Sequence, residues 1–98
     1  VNKGKLVPKK LFIKAYPNPF NSNCIIEFNL SNNDFIAIDL YSLRGQFIDR
    51  LHSGHMNKGK NQYLWNVNKM QQVISSGIFF IMISSKTINS LQKMIYLK

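Results

Sequence analysis

From Leu11 to Leu97 apolar residues recur at every second position, in short runs separated by turn-forming residues. A side-chain period of two belongs to a strand, whereas a helix repeats near 3.6. Seven such runs can be marked. Leu11–Tyr16 stops at Pro17-Asn18-Pro19, where two prolines without N–H groups cannot continue a ladder. Cys24–Leu30 sets Cys24, Ile26, Phe28 and Leu30 on one face and Ile25, Glu27 and Asn29 on the other. After the turn Ser31–Asp34, Phe35–Tyr41 alternates Ile36, Ile38 and Leu40 against Ala37 and Asp39. Arg44-Gly45 closes a hairpin with Gln46–Leu51. Ser53–Gly59 carries two glycines and reads as a loop before Asn61–Asn66. Residues 67–76 are polar and irregular, with room for an extra turn. Gly77–Ser84 is apolar on both faces, the mark of a central strand. Lys86–Asn89 then turns into Leu91–Leu97, and no helical stripe of ten residues competes. The expected fold is an all-β, immunoglobulin-like antiparallel sandwich of about seven strands, with the apolar faces of two sheets forming its core.

The 98 residues suit one small domain, and 45% hydrophobic content excludes a disordered chain. The longest apolar run, Ile78–Ile83, is far shorter than the roughly 20 residues of a membrane helix. The chain has no N-terminal secretory signal and opens on Val1, which suggests a piece of a longer protein. It carries 13 basic and 4 acidic residues, net +9. Such a surplus invites a nucleic-acid or anionic-surface reading. However, Lys, Asn and Ile supply 35 of the 98 residues, and A/T-rich codons favour all three, so genome bias accounts for part of the charge. Only two basic residues are Arg, the side chain suited to bidentate base and phosphate contacts. The one concentration of charge is Lys3, Lys5, Lys9, Lys10 and Lys14, so residues 1–10 read as a basic linker and 11–98 as the folded domain.

Catalytic chemistry needs an acid, base, nucleophile or metal set within mutual reach. His52 and His55 lie three apart in the expected loop with few carboxylates near them, so they read as surface histidines and not as ligands. Cys24, the sole cysteine, forms no internal bridge and alternates with Ile26 and Phe28 as a small buried hydrophobe. The carboxylates Glu27, Asp34, Asp39 and Asp49 show no acid–base pairing, and no glycine loop cradles a phosphate. Phe12, Lys14 and Tyr16 come closest to an aromatic–basic nucleic-acid face, but the packing reading places Phe12 and Tyr16 on the core. The chain reads as a non-enzyme with no cofactor, metal or nucleic-acid partner.

Ordered motifs go further than composition. Tyr16-Pro17-Asn18-Pro19-Phe20-Asn21 is followed by Ile26-x-Phe28-x-Leu30, then Ile38-Asp39-Leu40-Tyr41 with Gly45 and Ile48. Leu51, Gly54 and Gly59 lead to Trp65, Ser76-Gly77-Ile78-Phe79-Phe80 and the closing Lys93-Met94-Ile95-Tyr96-Leu97-Lys98. Over residues 11–98 this order and spacing resembles the type A C-terminal sorting domain of type IX secretion cargo. The resemblance implies an immunoglobulin-like sandwich at the end of secreted proteins of Bacteroidetes and their relatives. It also implies partners: an upstream cargo in the same chain, an outer-membrane translocon that reads the domain, and a sortase-like peptidase that removes it. The route runs through the periplasm to the cell surface or medium, with no membrane span in the domain itself.

Carried over by position, the family's Gly-x-Tyr element falls on Gly77-Ile78-Phe79, with Phe replacing Tyr, and its basic terminal strand on Lys93–Lys98. The Thr usual after the Pro-Asn-Pro block is Cys24 or Ile25 here, and the usual glycine turn is missing from Asn66–Ser75. Gly77, Phe79, Lys93, Met94 and Lys98 are the expected translocon-recognition positions. Pro17, Asn18, Pro19, Phe20, Asn21, Gly45, Gly54, Gly59, Trp65 and Ser76 are expected mainly to specify the fold. In physical terms, the prolines end the first strand, Asn18 can bond its own backbone, Gly45, Gly54 and Gly59 serve turns, and Trp65 and Phe80 fill the core. A terminal strand at a sheet edge would allow docking by strand addition. Lys3-Gly4-Lys5 is the expected cut region. The alternative is an accessory module of a larger extracellular protein, binding carbohydrate or protein; related sandwiches occur in flagellar hook-capping proteins.

Overall fold

The computed structural model describes residues 11–98. They build seven strands: β1 (Ile13–Tyr16), β2 (Asn23–Leu30), β3 (Asp34–Ser42), β4 (Phe47–Met56), β5 (Gly59–Asn66), β6 (Gly77–Ser84) and β7 (Asn89–Tyr96). A single 3-10 turn, Val67–Lys69, follows β5. Segment 1–10, expected as a basic linker, and the expected cut region Lys3-Gly4-Lys5 lie outside the described residues.

The strands form two antiparallel sheets, ordered β1-β2-β5 and β4-β3-β6-β7. This is the immunoglobulin-like sandwich with its fourth strand paired to the third. The alternation read from sequence sets which side faces inward. Cys24, Ile26, Phe28 and Leu30 of β2 are all buried and oppose Ile36, Ile38 and Leu40 of β3 and Phe79, Ile81 and Ile83 of β6. A one-residue slip of any strand would turn such a set to solvent, so burial pins the register. Gly45 takes φ 83° in the β3–β4 hairpin and Gly59 takes φ 107° at the start of β5, backbone that residues with a Cβ rarely adopt.

Several expectations need correction. Ser53–Gly59 is not a loop: β4 runs on to Met56, and only Asn57 and Lys58 separate it from β5. Gly54 therefore lies inside a strand opposite Ile36, without positive φ. His52 and His55 move with it onto β4. His52 faces inward, its ring 6.0 Å from that of Tyr63 and its Nε2 buried without a partner, while His55 is exposed against Phe35. In β6 it is Phe79 and not Phe80 that reaches the core, because inward positions follow the odd numbers there. Phe12 is 88% exposed and Tyr16 is also at the surface, so neither packs inside. Asp39 lies on the outer face, the opposite side of β3 from Ile38, as alternation places it, yet is 4% exposed. Arg50 covers it with a two-pronged contact, Nε donating to Oδ1 at 2.8 Å and Nη2 to Oδ2 at 3.2 Å.

β6 is central, as its apolar character suggested, with β3 on one side and β7 on the other. Its two faces differ in a way that periodicity did not reveal. The inner one meets the second sheet, but among the described residues no element lies over the outer one, where Ile78, Phe80 and Met82 are half-buried.

Candidate recognition surface around the terminal strand

Motifs far apart in sequence meet at one end of the sandwich. The two prolines stop β1 at Tyr16 and carry the chain across to the other sheet. There Phe20 is buried at 3% exposure, its ring 4.8 Å from that of Trp65 and 5.3 Å from that of Tyr96. Trp65 comes from the three-stranded sheet and Tyr96 from the four-stranded one, so Phe20 wedges the two together. The indole Nε1–H of Trp65 donates to the Met70 sulfur at 3.3 Å, which satisfies its one polar group.

The same segment covers the outer edge of β7. Asn18 Nδ2 donates to the Lys93 carbonyl at 3.0 Å, and its Oδ1 accepts from the Ile95 N–H at 2.9 Å. The Phe20 N–H donates to the Ile95 carbonyl at 3.0 Å, and the Phe20 carbonyl accepts from the Leu97 N–H at 2.8 Å. Phe20 thus pairs in parallel with Tyr96, and the Asn18 amide stands in for a further residue of strand. Asn18 bonds the terminal strand and not its own backbone, a correction to the sequence reading. β7 is an edge strand, but from the Lys93 carbonyl to the Leu97 N–H its outward backbone groups are paired, which among the described residues leaves Asn89–Gln92 as its open stretch.

Gly77, Phe79 and Met94 lie on the strands beside this seal and Ser76 just before β6, whereas Gly54 and Gly59 pair with Ile36 and Leu30 elsewhere. Ser76 Oγ accepts from the Lys98 N–H at 2.8 Å and so holds the last residue against the start of β6. Gly77, the first residue of β6, has φ 156°. Phe79 and Met94 are buried, the latter completely, while Lys93 and Lys98 are exposed. Pro17, Pro19, Phe20, Asn21 and Leu97 line a shallow groove beside the terminal strand. Ser90, buried near the other end of β7, accepts from the Leu11 N–H at 2.6 Å, a tie that nothing in the sequence marked. The Asp39–Arg50 pair was legible in principle: folding the hairpin about Gly45 brings the two positions into register.

The outer face of the three-stranded sheet is polar and internally bonded. Glu27 Oε1 accepts from Tyr16 Oη and Gln62 Nε2, each at 2.9 Å, with Lys60 Nζ at 3.6 Å. The Gln62 and Tyr16 hydrogen bonds hold the Glu27 carboxyl below its ordinary pKa, and the bond to Glu27 raises that of Tyr16. Burial pushes the Cys24 thiol up to about 11, the state of an inert core cysteine. Among the described residues no cluster of three His, Cys, Asp or Glu is placed to hold a metal, and no helix is long and apolar enough to cross a membrane.

No curated protein and no solved structure matches the chain. The family described as the secretion system C-terminal sorting domain matches residues 14–97, from the middle of β1 to the end of the terminal strand. The chain belongs to this family, the C-terminal sorting domains of type IX secretion.

Proposed function

We propose that this domain acts as a folded, non-catalytic address that the outer-membrane translocon reads, with the Lys93–Lys98 end as part of what is read. The observation that carries the reading is the convergence of the family motifs on that end. Pro17-Asn18-Pro19-Phe20 seals the β7 edge, Trp65 and Tyr96 clamp Phe20, and Ser76 fixes Lys98. Membership gives the sorting role and export to the cell surface or medium. Passage through the periplasm, removal by a sortase-like peptidase and a cut in the basic segment before Leu11 are parts of the proposal.

The five expected recognition positions take different parts in it. Lys93 and Lys98 are exposed and can be touched directly. Phe79 and Met94 are packed in the core, so their part is to hold the strands that present the lysines. Gly77 supplies the backbone at the start of β6, beside the Ser76 contact. Lysine-rich presentation suits an acidic receptor, and such attraction weakens with added salt.

The test is the released piece. Residues 1–98 fused behind a periplasm-targeted fluorescent protein should appear outside a type IX-competent cell, together with a shed fragment whose new N-terminus lies within residues 1–10. An intact fusion outside the cell would remove the processing step. An intact, folded fusion kept in the periplasm of competent cells would favour the accessory-module reading.

A further inference from the structure

The two outer faces of the sandwich are dressed differently. On the three-stranded sheet, Tyr16, Glu27, Gln62 and Lys60 join in one polar network. On the four-stranded sheet the registers bring apolar side chains into rows. Phe47, Tyr41 and Phe80 form one row across β4, β3 and β6 and end at Lys93 on β7. Met82 and Leu91 continue a second row that begins with the Arg50–Asp39 pair, and Ile78 lies beside Ile95 at one end. The Tyr41 and Phe47 rings meet edge to face at 5.8 Å, and Phe47 and Leu91 are 55% and 57% exposed. A sheet face open to water ordinarily alternates toward polar residues, and a contiguous apolar face marks a protein interaction site.

The charges on this face say what would cover it. Asp39 on this face is buried and taken up by Arg50, and among the described residues Lys93, at the end of the aromatic row, makes no ion pair. A second copy would bring another body of net +9, whose Asp39 is likewise buried under Arg50. The complementary occupant is a protein surface that is apolar at its centre and bears a carboxylate opposite Lys93. The geometry points to the outer face of the four-stranded sheet as the docking surface for such an acidic-rimmed component of the export machinery. This deepens the sorting reading and rests on it.

The export fusion distinguishes the two. Leu91→Glu on β7 and Phe47→Glu on β4 change the two edges of the face, roughly 14 Å apart at three strand spacings. Leu64→Glu, at a position 59% exposed on the outer face of the other sheet, is the matched control. Lys93→Glu and Lys93→Arg test the charge. Thermal unfolding of each purified fusion checks folding, and only variants melting close to the parent are compared. The expected result is export lowered about tenfold or more by Leu91→Glu, Phe47→Glu and Lys93→Glu, with Leu64→Glu near the parent and Lys93→Arg recovering most of what Lys93→Glu loses, as for contacts at the centre of an interface. Parent-like export of folded Leu91→Glu and Phe47→Glu overturns the docking face while leaving the sorting reading intact. A parent fusion that is not exported removes both. A dimer in sedimentation that Leu91→Glu dissociates while export holds would show a second copy on the face, and also overturns the proposal.

Discussion

Cys24 lies in the middle of the core with no exposed surface, and burial carries its thiol from an ordinary 9.0 up to about 11. Two outcomes follow. Thiol reagents at pH 8 should label Cys24 at the rate of unfolding, and rapid labelling of the native domain would contradict its burial. Below pH 9 the thiol is protonated in both states. Between about 9 and 11 the unfolded chain ionises while the folded one does not, so stability falls as pH rises through that window. A Cys24→Ala variant should lack this part of the decline. The Asp39–Arg50 pair offers a second residue-level test. Arg50→Ala leaves a 4% exposed carboxylate without its fork. It should cost roughly 1–3 kcal/mol in urea unfolding, the scale of a hydrogen-bonded charge losing its partner. Asp39→Asn should remove most of the effect of the Arg50 change, since the two act as a unit.

At the scale of elements, β7 and the Asn18–Phe20 segment are interdependent. Asn18→Ala removes two hydrogen bonds to an exposed strand edge and should cost about 1–2 kcal/mol. It should also raise light scattering on concentration, because an uncovered edge pairs with other chains. Phe20→Ala opens a hole between Trp65 and Tyr96 and should cost about 3–5 kcal/mol. Deleting Lys93–Lys98 removes the buried Met94 and Tyr96, so that deletion should unfold the domain, and lost export would then say nothing of recognition. Removing Lys98 alone costs one contact, to Ser76, and is the informative truncation. Much of this level was legible from alternation: the inward sets of β2, β3 and β6, the Gly45 hairpin and the central place of β6. What was missed has a physical reason in each case. Gly54 looked like a turn residue, but pairing across to β3 carried the strand through it. Asn18 was read locally because its partners lie 75 and 77 residues away, beyond the reach of any local rule. The apolar outer positions of β6 mark a central strand, and β6 does lie between β3 and β7. Periodicity does not tell whether a second layer covers the outer face.

For the whole molecule, we propose that a folded sandwich, and not a short linear tag, is the export address. The parts we propose for it are separated in sequence and assembled by folding: the Asn18 seal, Trp65, Ser76 and the lysines of the terminal segment. The family match runs from residue 14 to 97, through every strand of both sheets, in keeping with an address that is a whole domain. The most direct measurement is the surface-to-periplasm fluorescence ratio of a reporter carrying residues 1–98, taken in a type IX-competent strain and in its translocon-null counterpart. The same ratio is taken for the Phe20→Ala version. The account predicts a high ratio only in the competent strain, and its loss when Phe20→Ala unfolds the domain. Equal ratios in the two strains, or full export of an unfolded Phe20→Ala domain, would contradict it.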